Sequence, residues 1–240
     1  SKNALKDFLT DVYPLKSALI WLIVVAFTQL LLQVNSKFGY GAFWNIIRGK
    51  YQTPTAEKRI FMFLDLNDST GLAERLGDST YHALLKEFFA DITNAILDSK
   101  GSIYQYVGDE VIISWKYHDG TEGANCINCF FAIKSIIGDR RKVYQEKYGV
   151  VPSFKAGLHC GEVVAGEVGV VKRDITYSGD VLNTTSRIQS MCKEFQVELI
   201  ASNYLIEQLK SAGPYLLKSL GSIRLRGKET ELLLTSITEP

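Results

Sequence analysis

IFMFLDLNDSTGLAERLG, residues Ile60 to Gly77, orders its residue types in a way that decides how the rest of the chain is read. Five large apolar residues, Ile60 to Leu64, suffice for one buried strand and are too few for a helix of their own. A carboxylate, Asp65, closes the run. Asn67, Asp68, Ser69 and Thr70 follow, all side chains that cap helices, and Leu72, Ala73 and Leu76 then fall at helical spacing. The expected unit is a strand, an acidic residue, a short loop and a helix N-terminus. Such a start presents unpaired N–H groups and a positive dipole end, which suit a phosphate. Asp65 at the same place repels a phosphate unless a divalent cation stands between them.

Downstream, the helical pattern runs on through Tyr81, Leu84, Leu85, Phe88, Phe89, Ile92 and Ile96 until Gly101. Two short strands are expected next, Ser102 to Val107 and Val111 to Trp115, separated by Gly108, Asp109 and Glu110. Gly-Asp between two such runs is a hairpin signal, and it puts Asp109 at the tip. If the hairpin lies beside the first strand, Asp65 and Asp109 meet at one edge of the sheet. Two carboxylates that close are costly at neutral pH unless they share a proton or bind metal. A second helical segment, Thr121 to Tyr148, precedes a strand pair, Ser153 to Cys160 and Val163 to Val168, hinged at Gly161, and a further short strand within Lys172 to Tyr177. In Gly179 to Cys192, Leu182, Ile188 and Met191 can face a core, while Asn183 and Arg187 at i and i+4 share another face. An amide and a guanidinium so aligned suit a ribose oxygen and a phosphoryl oxygen; a merely solvated helix face is the plain alternative. Short strands and a helix fill the remainder, with a basic turn at Arg226, Gly227 and Lys228.

Lys and Arg total 27 against 26 Asp and Glu, a balance without the basic face that nucleic acid demands, so no nucleic-acid partner is expected. Cys126, Cys129, Cys160 and Cys192 read as reduced core thiols. The Cys126/Cys129 pair lies in an apolar helical pattern with no second Cys or His pair beside it. His159, in an apolar strand, reads as structural, and His82 and His118 lack the neighbours of a zinc site. The chain starts at Ser1, which reads as a piece of something longer. From residue 17 to 36 no charge occurs, and 20 residues at about 1.5 Å each match a hydrocarbon layer of about 30 Å. A transmembrane helix over about 17–36, within an N-terminal segment 1–36, is expected, with a buried core or dimerisation helix as the alternative. No small-residue cleavage site follows Leu32, so it is not a signal peptide. Lys37, Arg48, Lys50, Lys58 and Arg59 outnumber Lys2, Lys6 and Lys16, which places the C-terminal side in the cytoplasm and the protein at the cell membrane. Residues 37–55 read as a juxtamembrane linker in which Tyr40, Phe43, Trp44 and Ile47 share one helical face, and the soluble domain, 56–240, starts near Ala56.

From Glu57 to about Thr238 these stretches resemble the class III nucleotidyl cyclases, the adenylate and guanylate cyclase catalytic domains, of the membrane-anchored bacterial type. FLDLNDST is similar to the family's first metal-binding strand and loop, which implies Asp65 and the Leu66 carbonyl as metal ligands. VGDE resembles the second metal-binding turn, with Asp109 as ligand. AGLHCGEVVAGEVG resembles the family's glycine-punctuated strands. DITYSGDVLNTTSR is similar to the segment that carries the transition-state residues, so Asn183 is expected to orient the ribose and Arg187 to stabilise charge on the α-phosphate. LRGK resembles the segment of the triphosphate-contacting lysine, so Lys228 and the amides of Asn67, Asp68, Ser69 and Thr70 are expected to hold the β- and γ-phosphates. The positions that meet the base carry Gln105, where adenylate cyclases usually have lysine, and Thr176, an allowed variant; the Glu and Cys usual in guanylate cyclases match neither. The resemblance implies an α/β fold, an α+β sandwich with a ferredoxin-like core, behind a transmembrane helix. It further implies two Mg2+ or Mn2+ ions, ATP as substrate and a homodimer with shared sites. GTP as substrate, and a membrane-tethered nucleotide sensor without turnover, are the alternatives.

Overall fold

The computed structural model describes residues 12–38, 51, 53–170, 174–209, 211, 213–225 and 231–240. Strand β1 (Thr55–Leu66) alternates as its period requires: Ile60, Met62, Leu64 and Leu66 enter the main core, while Phe61 and Phe63 enter a smaller cluster on the opposite face. Two helices follow, the N-terminal helix α1 being Val12–Phe38: α2 (Ser69–Leu76) and α3 (Asp78–Asp98). The single long helix expected here is broken at Gly77, whose φ of 74° leaves the helical region. The hairpin β2 (Ser102–Val107) and β3 (Glu110–Lys116) forms as expected, with Gly108 at φ 64° in the turn. In place of the single segment expected over Thr121 to Tyr148, α4 (Tyr117–Thr121) ends where that segment begins, and a 3-10 turn (Glu122–Ala124), α5 (Asn125–Asp139) and α6 (Arg141–Tyr148) follow. Gly123 at φ 56° and Ala124 at φ 57° separate α4 from α5, and Arg140 separates α5 from α6.

The expected strand pair around Gly161 is one continuous strand, β4 (Phe154–Val168). Gly161 is there for packing rather than for a hinge, since a Cβ at this position would meet Val181 at 2.6 Å. The remaining elements are β5 (Asp174–Ser178), α7 (Asp180–Phe195), β6 (Leu199–Ser202), α8 (Asn203–Gln208), β7 (Leu216–Ile223) and β8 (Leu232–Thr238). The sheet is mixed, in the order β2-β3-β1-β4-β6-β8-β7, with β5 on β4; β4 and β6 run parallel, while β1/β3, β2/β3, β6/β8 and β7/β8 are antiparallel. On one face α3 and α5 bury Leu84, Phe88, Ile92, Ile96, Phe130 and Ile133 against β1 and β3. Trp115 closes this core, its indole N–H donating to the Ser99 carbonyl over 2.9 Å. On the other face α7 lies close on β4, and Gly157 permits the approach: a Cβ there would stand 2.4 Å from the Gln189 backbone nitrogen.

The chain divides into two compact units, residues 1–55 with Gly166–Thr176, and Ala56–Ala165 with Tyr177–Pro240. In the first, Glu167 N–H donates to the Tyr51 carbonyl over 3.0 Å. Its helix α1 (Val12–Phe38) is exposed at every described side chain from Leu15 to Gln33, a stretch of mean hydropathy 2.0. By length and composition it is able to cross a membrane. The four cysteines are buried free thiols, as expected, with pKa values pushed up by burial to about 12 for Cys126, Cys129 and Cys192 and about 11 for Cys160.

Candidate active site

Alternation along β1 sends Asp65 to the same face as Phe61 and Phe63, away from α3 and α5 and toward α7. There its Oδ2 accepts from Lys155 Nζ at 2.6 Å, out of β4, and from Gln189 Nε2 at 3.1 Å, out of α7. Asp65 stands opposite Glu110 in the β1/β3 ladder, so the hairpin brings Asp109 to the same sheet edge. Burial raises the Asp65 pKa, Lys155 opposes the rise, and the charge and carboxyl group of Asp109 add to it. Glu110 is pushed up to about 7, first by burial and then by Asp65 and Asp109. The Tyr81 phenol is likewise raised, by burial first, then by Asp109 and more weakly by Asp65, while a hydrogen bond with Ser69 opposes the shift. Three carboxyl groups and a phenol thus press on one another, with Lys155 as the local cation.

Such a place fits a hard divalent ion. Carboxylate and carbonyl oxygens are the ligands Mg2+ and Mn2+ prefer, and added positive charge offsets both the burial that chiefly raises these pKa values and the repulsion that adds to it. Among the described residues no group of three or more His, Cys, Asp or Glu side chains encloses an ion position. Asp65, Asp109 and the Leu66 carbonyl, the ligands that the family resemblance implies, are oxygen donors of the kind such an ion takes. The Leu66 side chain is buried at the end of β1, which anchors the backbone at that point.

The loop after β1 departs from a side-chain-capped start. Asn67 is engaged with Ser153, its backbone N–H donating to the carbonyl at 2.8 Å and its side-chain amide to the hydroxyl at 3.2 Å. Asp68 is the N-cap residue of α2 at φ 54° and makes no side-chain cap hydrogen bond. Its carboxylate lies over Gly71, where a Cβ would meet Oδ1 at 2.6 Å, and pairs with Arg75 at 3.6 Å. The first helical hydrogen bond runs from Leu72 N–H to the Asp68 carbonyl, so the amides of Ser69, Thr70 and Gly71 precede the helical ladder.

Gln105 is exposed on the edge strand β2 and pairs with Ile112, on the Phe61/Phe63/Asp65 face. Thr176 donates to the Gly166 carbonyl over 3.4 Å. Asn183 and Arg187 lie on α7, the first exposed and the second partly so. At 100° per residue these two are about 40° apart around the helix, whereas both stand about 120–160° from Gln189. The helix that sends Gln189 to Asp65 therefore turns Asn183 and Arg187 away from it. Lys228 lies outside the described residues. In the sequence Lys155 and Gln189 have no assigned role, and Glu110 and Tyr81 only those of a turn residue and a helix-face residue. Only Lys155 carried a signal, as a lone cation among the apolar residues of FKAGL.

A family model described as the adenylate and guanylate cyclase catalytic domain matches residues 52–235. Adenylate cyclase 2 of Rhizobium meliloti (strain 1021) is 36% identical over 208 residues, which cover 87% of this chain and 57% of that protein. Adenylate cyclase 1 of the same organism is 27% identical over 178 residues, 71% of this chain and 26% of that one. The chain therefore spans little more than half of the first relative and about a quarter of the second. Among solved structures, a bacterial light-regulated adenylyl cyclase superposes with a TM-score of 0.76 at 19% identity, over 95% of this chain and 66% of that one. The adenylyl cyclase CyaB from P. aeruginosa gives 0.68 at 19% identity, over 78% and 97%.

Proposed function

The chain belongs to the adenylate and guanylate cyclase catalytic-domain family, and from that membership we propose that it converts ATP to 3',5'-cyclic AMP and pyrophosphate at sites shared by two copies of itself. A nucleotidyl cyclase follows from the family; the two Rhizobium meliloti adenylate cyclases among its relatives support ATP as the nucleotide. The observation that carries the shared site is the turn of α7. Gln189 reaches Asp65 of its own chain, so Asn183 and Arg187, on the far side of the same helix, serve a nucleotide held by the Asp65 and Asp109 of a second copy. A two-fold dimer then has two complete sites, each built from both chains.

Two Mg2+ or Mn2+ ions held by Asp65, Asp109 and the Leu66 carbonyl would supply a lowered pKa at the ribose 3'-hydroxyl and charge neutralisation at the triphosphate. The residues do the rest. Gln105 and Thr176 meet the base, and the amides at the start of α2, with Lys228, hold the β- and γ-phosphates. Lys155, which pairs with Asp65 in the structure, would be left beside the same phosphates were a metal to take that carboxylate. Asn183 orients the ribose so that its 3'-oxygen lies in line with the α-phosphorus, and Arg187 acts on charge that grows at that phosphorus. Loss of Arg187 therefore lowers turnover more than binding. Helix α1, apolar on all sides, is the membrane anchor in this reading, with the catalytic part in the cytoplasm.

The test is a cyclisation assay with Mn2+ and ATP or GTP in parallel, on membranes from cells that express the full chain and on the chain without residues 1–50. Cyclic AMP as main product is expected, from an activity that sediments with the membranes in the first case and stays soluble in the second. Cyclic GMP as main product makes the protein a guanylate cyclase. Saturable nucleotide binding without cyclic product replaces the enzyme by a sensor.

A further inference from the structure

We propose that Tyr104 is a specificity-determining positioning residue: as the extra residue of a β-bulge in β2, tied to Tyr177, it sets the orientation from which Gln105 meets the purine. The inference rests on the reading that Gln105 contacts the base.

The register of the hairpin carries the first step. Ile103 pairs with Ile113, Gln105 with Ile112, and Tyr106 with Val111, so Tyr104 intervenes on β2 where no residue intervenes on β3. Ile103 packs against the core under α3 and α5, and Tyr106 stacks toward Phe89 of α3 with ring centroids 4.6 Å apart. In a regular strand running on from Ile103, Gln105 would stand opposite Val111 and face that core. The extra residue moves it by one position, onto the row of Ile112 and Phe63, the Asp65 face. Bulges on edge strands re-aim side chains in this way.

The second step is what holds the bulge. Tyr104 accepts the backbone N–H of Tyr177 on its hydroxyl at 3.2 Å. Its ring lies 4.9 Å from that of Tyr177 and 6.4 Å from that of Phe61, and the rings of Phe61 and Tyr177 are 5.5 Å apart. The Arg59 guanidinium covers the Tyr177 ring at 4.5 Å and is paired with Glu57 at 2.6 Å. The cluster is thus clamped at several points. Tyr104 precedes Gln105 in the chain and Tyr177 follows Thr176, so this one hydrogen bond ties the neighbours of both residues assigned to the base. An amide presents a donor and an acceptor; adenine and guanine present theirs in opposite order, so discrimination depends on which way the amide is held.

The test measures kcat and KM with ATP and with GTP, and the dissociation constants of 3'-deoxy-ATP and 3'-deoxy-GTP, which cannot cyclise. Tyr104→Phe keeps the ring and removes the acceptor. The expected result is a fall of about fivefold in the ATP-to-GTP ratio of kcat/KM, carried by KM, with a parallel change in the dissociation constants. Tyr104→Leu, which removes the ring as well, should lower the ratio further. Gln105→Ala separates the two readings. If it changes the ratio while both Tyr104 variants leave it alone, the positioning role is wrong and base contact by Gln105 stands. If Gln105→Ala leaves the ratio unchanged, base contact by Gln105 falls, and the proposal with it. An equal loss of kcat with both nucleotides, at unchanged dissociation constants, makes Tyr104 a general structural residue and also overturns it.

Discussion

Mixing two inactive variants should restore activity. One chain carries Asp65→Ala and Asp109→Ala and the other Arg187→Ala. In the structure these lesions lie on opposite sides of α7, because Gln189 faces Asp65 and Arg187 is turned about 160° from Gln189 around the helix. If each site takes its carboxylates from one copy and its arginine from the other, a mixed dimer has one site with every lesion and one with none. Random pairing of equal amounts makes half of the dimers mixed, and half of the sites in those intact, so about a quarter of wild-type activity should return. The assay is cyclic nucleotide formation after co-incubation, with exchange of chains followed in parallel by energy transfer between labelled copies. Full exchange without recovered activity would refute the shared site, and so would turnover by a chain shown to be monomeric at the assay concentration.

Asp109→Ala should abolish turnover yet leave the metal-free melting temperature equal or higher, since Asp65 and Glu110 each lose a like charge. Asp65→Ala should also abolish turnover but be the less stable of the two, because it strands the Lys155 ammonium, whose side chain is only 17% exposed. Gly157→Ala should cost about 1–3 kcal/mol in urea unfolding and push Gln189 off Asp65, since the added Cβ meets backbone rather than a movable side chain; an alanine variant of wild-type stability and activity would show that α7 sits further from β4. The raised pKa of Glu110 has a definite sign in the metal-free protein: its contribution is most favourable below about pH 4.5 and is lost as pH rises toward about 7, where the folded state must ionise a group that it holds protonated. Glu110→Gln should therefore match wild type near pH 4 and exceed it in stability above pH 7 in chelator, and a constant difference across that range would contradict the assignment.

Where a structural feature depends on neighbours in sequence, it was legible beforehand. The apolar run into Asp65, the Gly-Asp turn of the hairpin and the uncharged stretch of α1 are read from a few adjacent residues, because period and turn chemistry act over that range. Gly77 and Gly161 were harder, since a glycine in a row of side chains does not say whether it supplies a positive φ, as the first does, or room for Val181, as the second does. The one-residue slip at Tyr104 leaves no mark in the sequence, because a bulge is a relation between two strands and shows only when Ile112 and Ile113 are set beside Gln105 and Ile103.

By itself the sequence determined the strand, the carboxylates at its edge, the helix that carries Asn183 and Arg187, and the family to which their order belongs. Only the tertiary structure decided the company that Asp65 keeps: Lys155 and Gln189 reach it from 90 and 124 residues away. It alone decided the facing of α7, too. Helical spacing aligns Asn183 with Arg187 in any context, but which side of the helix meets the sheet depends on where Gly157 lets the backbone come close. Long-range packing sets that contact, and no local pattern encodes it.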